Sequence, residues 1–201
     1  MFGDRGRRRA EKLGIDPGRL PPGQSPTVKF PVFTFQTVPT VGAWALGVFG
    51  DVEQPLMLDE EAFAALPRVR QTSDFHCVTR WSQFDMAWEG VRVRELLERA
   101  RPRPTATHVL AHGLDGYTTN LPLPVLLADD VLVADRYEGA PLTPEHGYPI
   151  RLLVPARYGW KSAKWLHALQ VLDHDEPGFW EQNGYHNNGD PWGEERHGTW
   201  R

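Results

Sequence analysis

The chain has 201 residues and a single cysteine, Cys77. One thiol cannot form an internal disulfide. Nor can it furnish a structural zinc site, which takes four ligands, mostly cysteines. Apolar runs stay far below the ~20 residues of a membrane span, so no membrane partner is expected. The net charge is −4. Phosphate backbones demand a basic face, so no nucleic-acid partner is expected either. Arg7, Arg8 and Arg9 lie near the N-terminus, but Ala10-Glu11-Lys12 follows in place of the hydrophobic stretch of an export signal. A cytoplasmic location is the expectation, in keeping with the missing cysteine pairs. The Walker phosphate loop, the Gly-x-Ser-x-Gly elbow and the His-Glu-x-x-His zinc motif are absent. Gly113-Leu114-Asp115-Gly116 does not make a dinucleotide fingerprint.

Eighteen prolines and nineteen glycines imply many turns and short elements. Eight tryptophans suit either a lined pocket or ordinary core packing. The length fits one domain with a tail. Residues 1–29, charged and then rich in proline and glycine, read as an arm or linker with a short helix around Arg7 to Leu13. Residues 30–201 read as the domain, with regular structure starting near Phe30. Strand patterns cover 43–50, 69–77, 108–112, 131–137, 150–154 and 166–172. Helical patterns cover 59–66, with Asp59 as N-cap and Pro67 as the stop, and 93–100. Strands outnumber helices without a repeating strand-helix-strand order, which predicts a mixed α+β fold.

Two segments carry chemistry. Cys77 follows His76 and precedes Arg80 and Trp81. Nearby positive charge favours the thiolate, the form that attacks and binds metals; a free cysteine also serves as a small buried hydrophobe. Further on, His146 and Arg151 bracket a turn into a strand, and Arg157, Lys161 and Lys164 follow among glycine, serine and tryptophan. Such donors suit a phosphate-like anion, or they are surface cations flanking a strand.

Together, Asp74 to Ser82, His146 to Arg151, Lys161 to Leu166 and Asn183 to His186 resemble the sulfite oxidase family of molybdopterin oxidoreductases, and within it small bacterial members with the molybdenum domain alone. The resemblance runs from about Phe30 to Pro191. It implies a mixed fold around a buried pyranopterin and a molybdenum-molybdopterin cofactor with Cys77 as the protein's metal ligand. His146 and Arg151 would hold the pterin phosphate. Ser162, Ala163 and Lys164 would wrap the cofactor, with His112 near another contacting segment. Phe33, Thr34 and Phe35 would lie on a loop covering it. Tyr185 falls at the substrate-pocket tyrosine. Arg80 stands where animal sulfite oxidases begin an arginine pair; here Trp81-Ser82 follows, as in bacterial members, some of which reduce sulfoxides. The resemblance therefore implies oxygen-atom transfer to or from a small oxyanion or oxide, with a reductase of S- or N-oxides as one alternative and a redox subunit without turnover as another. It also implies a separate electron-transfer partner and a monomer or weak dimer.

Overall fold

The computed structural model describes residues 2–33 and 37–198, with side chains from Arg5 onward. The chain runs α1 (Phe2–Lys12), β1 (Ser25–Pro26), β2 (Ala45–Gly50), β3 (Leu56–Asp59), α2 (Glu60–Ala64), β4 (Val69–Cys77), β5 (Trp81–Arg92), α3 (Val93–Ala100), β6 (His108–Gly113), β7 (Thr118–Pro122), α4 (Leu123–Leu126), β8 (Leu132–Tyr137), β9 (Ala140–Pro141), β10 (Arg151–Leu153), β11 (Leu166–Leu172) and α5 (Phe179–Gln182). Single-turn 3-10 helices lie at Pro17–Arg19, Pro144–His146 and Gly159–Lys161.

Among the described residues the strands form two mixed sheets. One runs β1-β5-β8-β10, with β4 also on β5 and β9 on β8; the other runs β3-β2-β11-β6-β7. The fold is the mixed α+β arrangement that the sequence predicts. One core joins both sheets, α2 and α3, through residues such as Leu46, Phe63, Val91, Leu97, Val133, Leu152 and Leu169. A second cluster (Phe75, Met86, Trp88, Leu132, Ala134, Leu142 and Leu153) covers the other face of the first sheet. Strand alternation explains the split: Val133 and Leu152 point into one cluster, while Leu132, Ala134 and Leu153 point into the other.

Asp59 caps α2 as expected, its carboxylate accepting from the amide of Ala62 at 2.8 Å. Regular structure begins well before Phe30. In α1, Ala10 is fully buried, and a side chain at Gly6 would collide with the Gln24 carbonyl. The helix thus packs its small residues, four apart, on the following segment. β1 then pairs in parallel with β5, Ser25 opposite Trp81.

The longest strand, β5, was outside the sequence reading. Its pairing with β4 shifts register between Ser73 and Phe75. Asp85 sits at the irregularity with φ 54°. Arg19 spans it, donating to Asp74 at 2.6 Å and to Asp85 at 2.7 Å. Both carboxylates raise the Arg19 pKa. Among the described residues no helix is long and apolar enough to cross a membrane.

Candidate functional site

β4 ends on Cys77, and the chain turns through Val78, Thr79 and Arg80 into β5. The Arg80 amide donates to the Cys77 carbonyl at 3.0 Å. The Gln24 side chain donates to the same oxygen at 3.0 Å. Arg80 takes φ 73°, a left-handed conformation that closes the turn. Period-two alternation sets the faces. Phe75 and Cys77 share one face of β4, and both line a cleft. The Cys77 sulfur is half-buried, 3.1 Å from the Thr79 hydroxyl.

His76 points the other way. It is 4% exposed, with Nδ1 2.8 Å from the fully buried Ser82 hydroxyl. Burial pushes its pKa down from 6.5 to about 4. It is therefore neutral at pH 7, and the expectation that it supplies positive charge to the thiol is corrected. Because the unfolded histidine takes its proton near 6.5 and the folded one near 4, stability falls as pH drops between those values. The loss totals about 3 kcal/mol. Urea unfolding at pH 7 and pH 4.5 should show a weaker pH slope in His76→Gln than in the natural chain.

Across the cleft stands a cationic wall. Arg151 opens β10 on the face of Leu153 and is 3% exposed. Its guanidinium donates to the carbonyls of His146 at 3.1 Å and Ser162 at 3.0 Å. It lies over the rings of Phe30, Phe75 and Trp88, each 5.6 to 5.7 Å away. No carboxylate is within ion-pair distance among the described residues. Burial lowers its pKa to about 10, so the charge persists at pH 7. Lys164 lies beside it, donating to the carbonyls of Phe33 at 2.8 Å and Glu145 at 2.9 Å. Burial, reinforced by Arg151, lowers its pKa to about 8. His146 stacks on Phe30 at 4.5 Å with Nδ1 3.0 Å from the Thr143 hydroxyl. Burial lowers its pKa too. Gly147, at φ 107°, lets these groups converge: a side chain there would press on Lys164 and Arg151.

The third wall is aromatic: Tyr117, Trp160, Trp180 and Tyr185, with Trp81 nearer the cysteine. Tyr185 sits edge-on to Trp160 at 5.1 Å. The buried Tyr117 hydroxyl donates to the Trp160 carbonyl at 2.6 Å. Behind this wall Lys161 and Glu181, both side chains fully buried, pair at 2.6 Å. Glu181 also accepts from Trp160 Nε1 at 2.8 Å and Thr119 at 3.0 Å. The pair ties the 159–161 turn to α5. Glu181→Ala leaves a buried ammonium uncompensated, and chemical denaturation should show a loss of about 3–5 kcal/mol.

Of the sequence-chosen residues, Cys77, Phe33, His146, Arg151, Ser162, Ala163, Lys164 and Tyr185 meet at the cleft. Thr34 and Phe35 lie outside the described residues. Two others do not line it. His112 bonds Gln170 at 3.0 Å and faces His167 on the second sheet. The Arg80 guanidinium lies beside Gly23, near Glu194 and Arg196. Sequence reasoning missed the aromatic cage around Arg151 and the acid of the Lys161 pair. Phe75 stood inside a quoted motif, whereas nothing local marks Glu181.

A half-buried thiol and a buried guanidinium without an acid partner among the described residues thus line one cleft. Among the described residues no three His, Cys, Asp or Glu side chains could jointly hold a metal ion, so the thiol would have to share a metal with non-protein ligands. The chain belongs to the oxidoreductase molybdopterin-binding domain family, whose model matches residues 35–180. It is 46% identical over 186 residues to the uncharacterised oxidoreductase YuiH of Bacillus subtilis, covering 91% of this chain and 93% of that protein. Over 181 residues it is 30% identical to the protein-methionine-sulfoxide reductase catalytic subunit MsrP of Gluconobacter oxydans, covering 79% of this chain and 56% of MsrP. Among solved structures, the sulfane dehydrogenase SoxCD of Paracoccus pantotrophus aligns with TM-score 0.60 and 28% identity, over 66% of this chain and 39% of that one.

Proposed function

We propose that this chain is a molybdopterin enzyme that moves an oxygen atom to or from a small substrate, with Cys77 as the metal's protein ligand. The observation that carries the reading is Arg151. A guanidinium buried without an acid is costly, and an anion in the cleft would offset that cost. Arg151, Lys164 and His146 suit the pterin phosphate, and the chain at Ser162 and Ala163 suits the surrounding loop. The donor set therefore fits the molybdenum-molybdopterin group. When bound, that group supplies the two-electron oxygen-transfer chemistry. The protein's share is to bind and orient: Cys77 donates its sulfur, the cations hold the phosphate, and the aromatic wall excludes water. The Tyr185 hydroxyl would donate to a substrate oxygen.

A neutral oxide is favoured over sulfite. Arg80 does not line the cleft, and Arg151 and Lys164 belong to the proposed phosphate end. An oxyanion would thus meet few donors near Cys77. The relative named as a methionine-sulfoxide reductase subunit supports the same choice. Reduction would run as sulfoxide plus two electrons and two protons to thioether plus water, with a separate carrier supplying the electrons to a cytoplasmic monomer or weak dimer.

Metal analysis and paired assays test the reading. The purified protein should hold about one molybdenum per chain, and reduced dye with sulfoxide should outpace sulfite with an artificial acceptor. Metal-free protein with a full complement of intact Cys77 would overturn the cofactor assignment. Faster sulfite turnover would overturn the substrate choice.

A further inference from the structure

A second buried cation stands outside the cleft lining, against the cysteine turn. Arg196 is 7% exposed. Its Nη1 donates to the Val78 carbonyl, one residue past the cysteine, at 2.6 Å, and its Nη2 reaches the Pro22 carbonyl at 3.4 Å. The guanidinium covers the Tyr158 ring at 4.9 Å. Its Nε is buried with no partner. Among the described residues the carboxylate near it is Glu194, exposed and 3.8 Å away, too loose and wet to neutralise it. The guanidinium thus sits on the carbonyl of the residue after Cys77, with the Arg80 and Glu194 side chains near it beside Gly23. The other turn carbonyls are held as well: Gln24 and the Arg80 amide bind that of Cys77, and the Ser25 amide binds that of Arg80 at 3.0 Å.

Backbone bonds already brace this turn. A buried guanidinium adds a fixed positive charge next to it at a desolvation cost that a neutral amide side chain would avoid. We propose that Arg196 is a positioning residue whose charge, locked onto the Val78 carbonyl, raises the reduction potential of the metal centre bound through Cys77. A fixed cation in a water-poor setting favours whichever state carries more electrons, and groups outside the ligand set commonly tune a metal in this way. The inference rests on the cofactor reading above.

The test is potentiometric titration of the loaded full chain, followed by the paramagnetic resonance of the one-electron-reduced metal. Arg196→Gln keeps a donor for Val78 but removes the charge, and its midpoint should move to more negative potential. Arg196→Lys keeps the charge and should stay near the natural value. Glu194→Gln, at an exposed site that leaves the turn untouched, should move the midpoint slightly the other way, which keeps the test open if Arg196→Gln fails to fold. Loaded variants with unmoved midpoints, or a Lys variant that shifts as far as the Gln variant, would overturn the charge role. A natural chain without molybdenum would instead defeat the cofactor reading, so the two failures are distinct.

Discussion

Cys77→Ser should abolish turnover while leaving the fold intact. The sulfur is half-buried at the end of β4, and its contact within the protein is the Thr79 hydroxyl at 3.1 Å. Serine fits the same space and can keep that contact, so melting temperature and circular dichroism should barely change. What disappears is a soft, polarisable donor suited to molybdenum. Outer-shell changes commonly cost ~10–100-fold in activity; loss of the ligand itself should exceed that range in dye-linked oxygen-transfer assays. The absorption of the loaded protein should also lose the band that arises from the cysteine sulfur. A serine variant with natural turnover would exclude Cys77 from the metal.

Arg151→Met should separate loading from folding. Removing the guanidinium leaves the carbonyls of His146 and Ser162 short of a donor. It also relieves the desolvation of a charge that has no acid partner. These effects oppose each other, so the cofactor-free variant should stay within about 2 kcal/mol of the natural chain in urea titrations. Cofactor affinity has no such compensation. A charge-assisted bond to phosphate contributes about 1.5–3 kcal/mol, which is roughly a 10- to 100-fold weaker hold. Purified Arg151→Met should therefore carry little molybdenum and melt near the unloaded natural protein. Full loading would show that the phosphate sits elsewhere. Arg151→Lys should recover loading in part, since the charge returns without the fork that spans two carbonyls.

Much of this was legible in the sequence because it was written locally. The strand pattern of 69–77 put Cys77 at a strand end or in the loop after it, Asp59 announced its helix, and the apolar spacing of 93–100 gave α3 to the residue. The His146 to Lys164 stretch supplied the cations of the cleft, since the residues concerned lie close along the chain. Long-range features were not legible. β5 carries a non-glycine left-handed residue inside it and follows a turn closed by Arg80, so it lacks the usual turn signals. The neutrality of His76 depends on its burial, which is set by long-range packing. The partnership of Lys161 with Glu181 joins residues 20 apart in sequence through packing alone. Arg80 looked like a substrate group because it neighbours the cysteine, yet its job in the turn sends its side chain away from the cleft.

The Arg19 clamp has one more implication. Successive residues of a strand face opposite sides, so a one-step change in the pairing of β4 would trade the thiol for a neutral imidazole at the cleft. Arg19 grips Asp85 of β5 together with Asp74 of β4 where their register shifts, and so holds the two strands in this pairing. An ion cluster three residues before Cys77 thus helps to keep the sulfur on the cleft face. Deleting Asp85 should therefore disturb the strand pairing on which the Cys77 face rests.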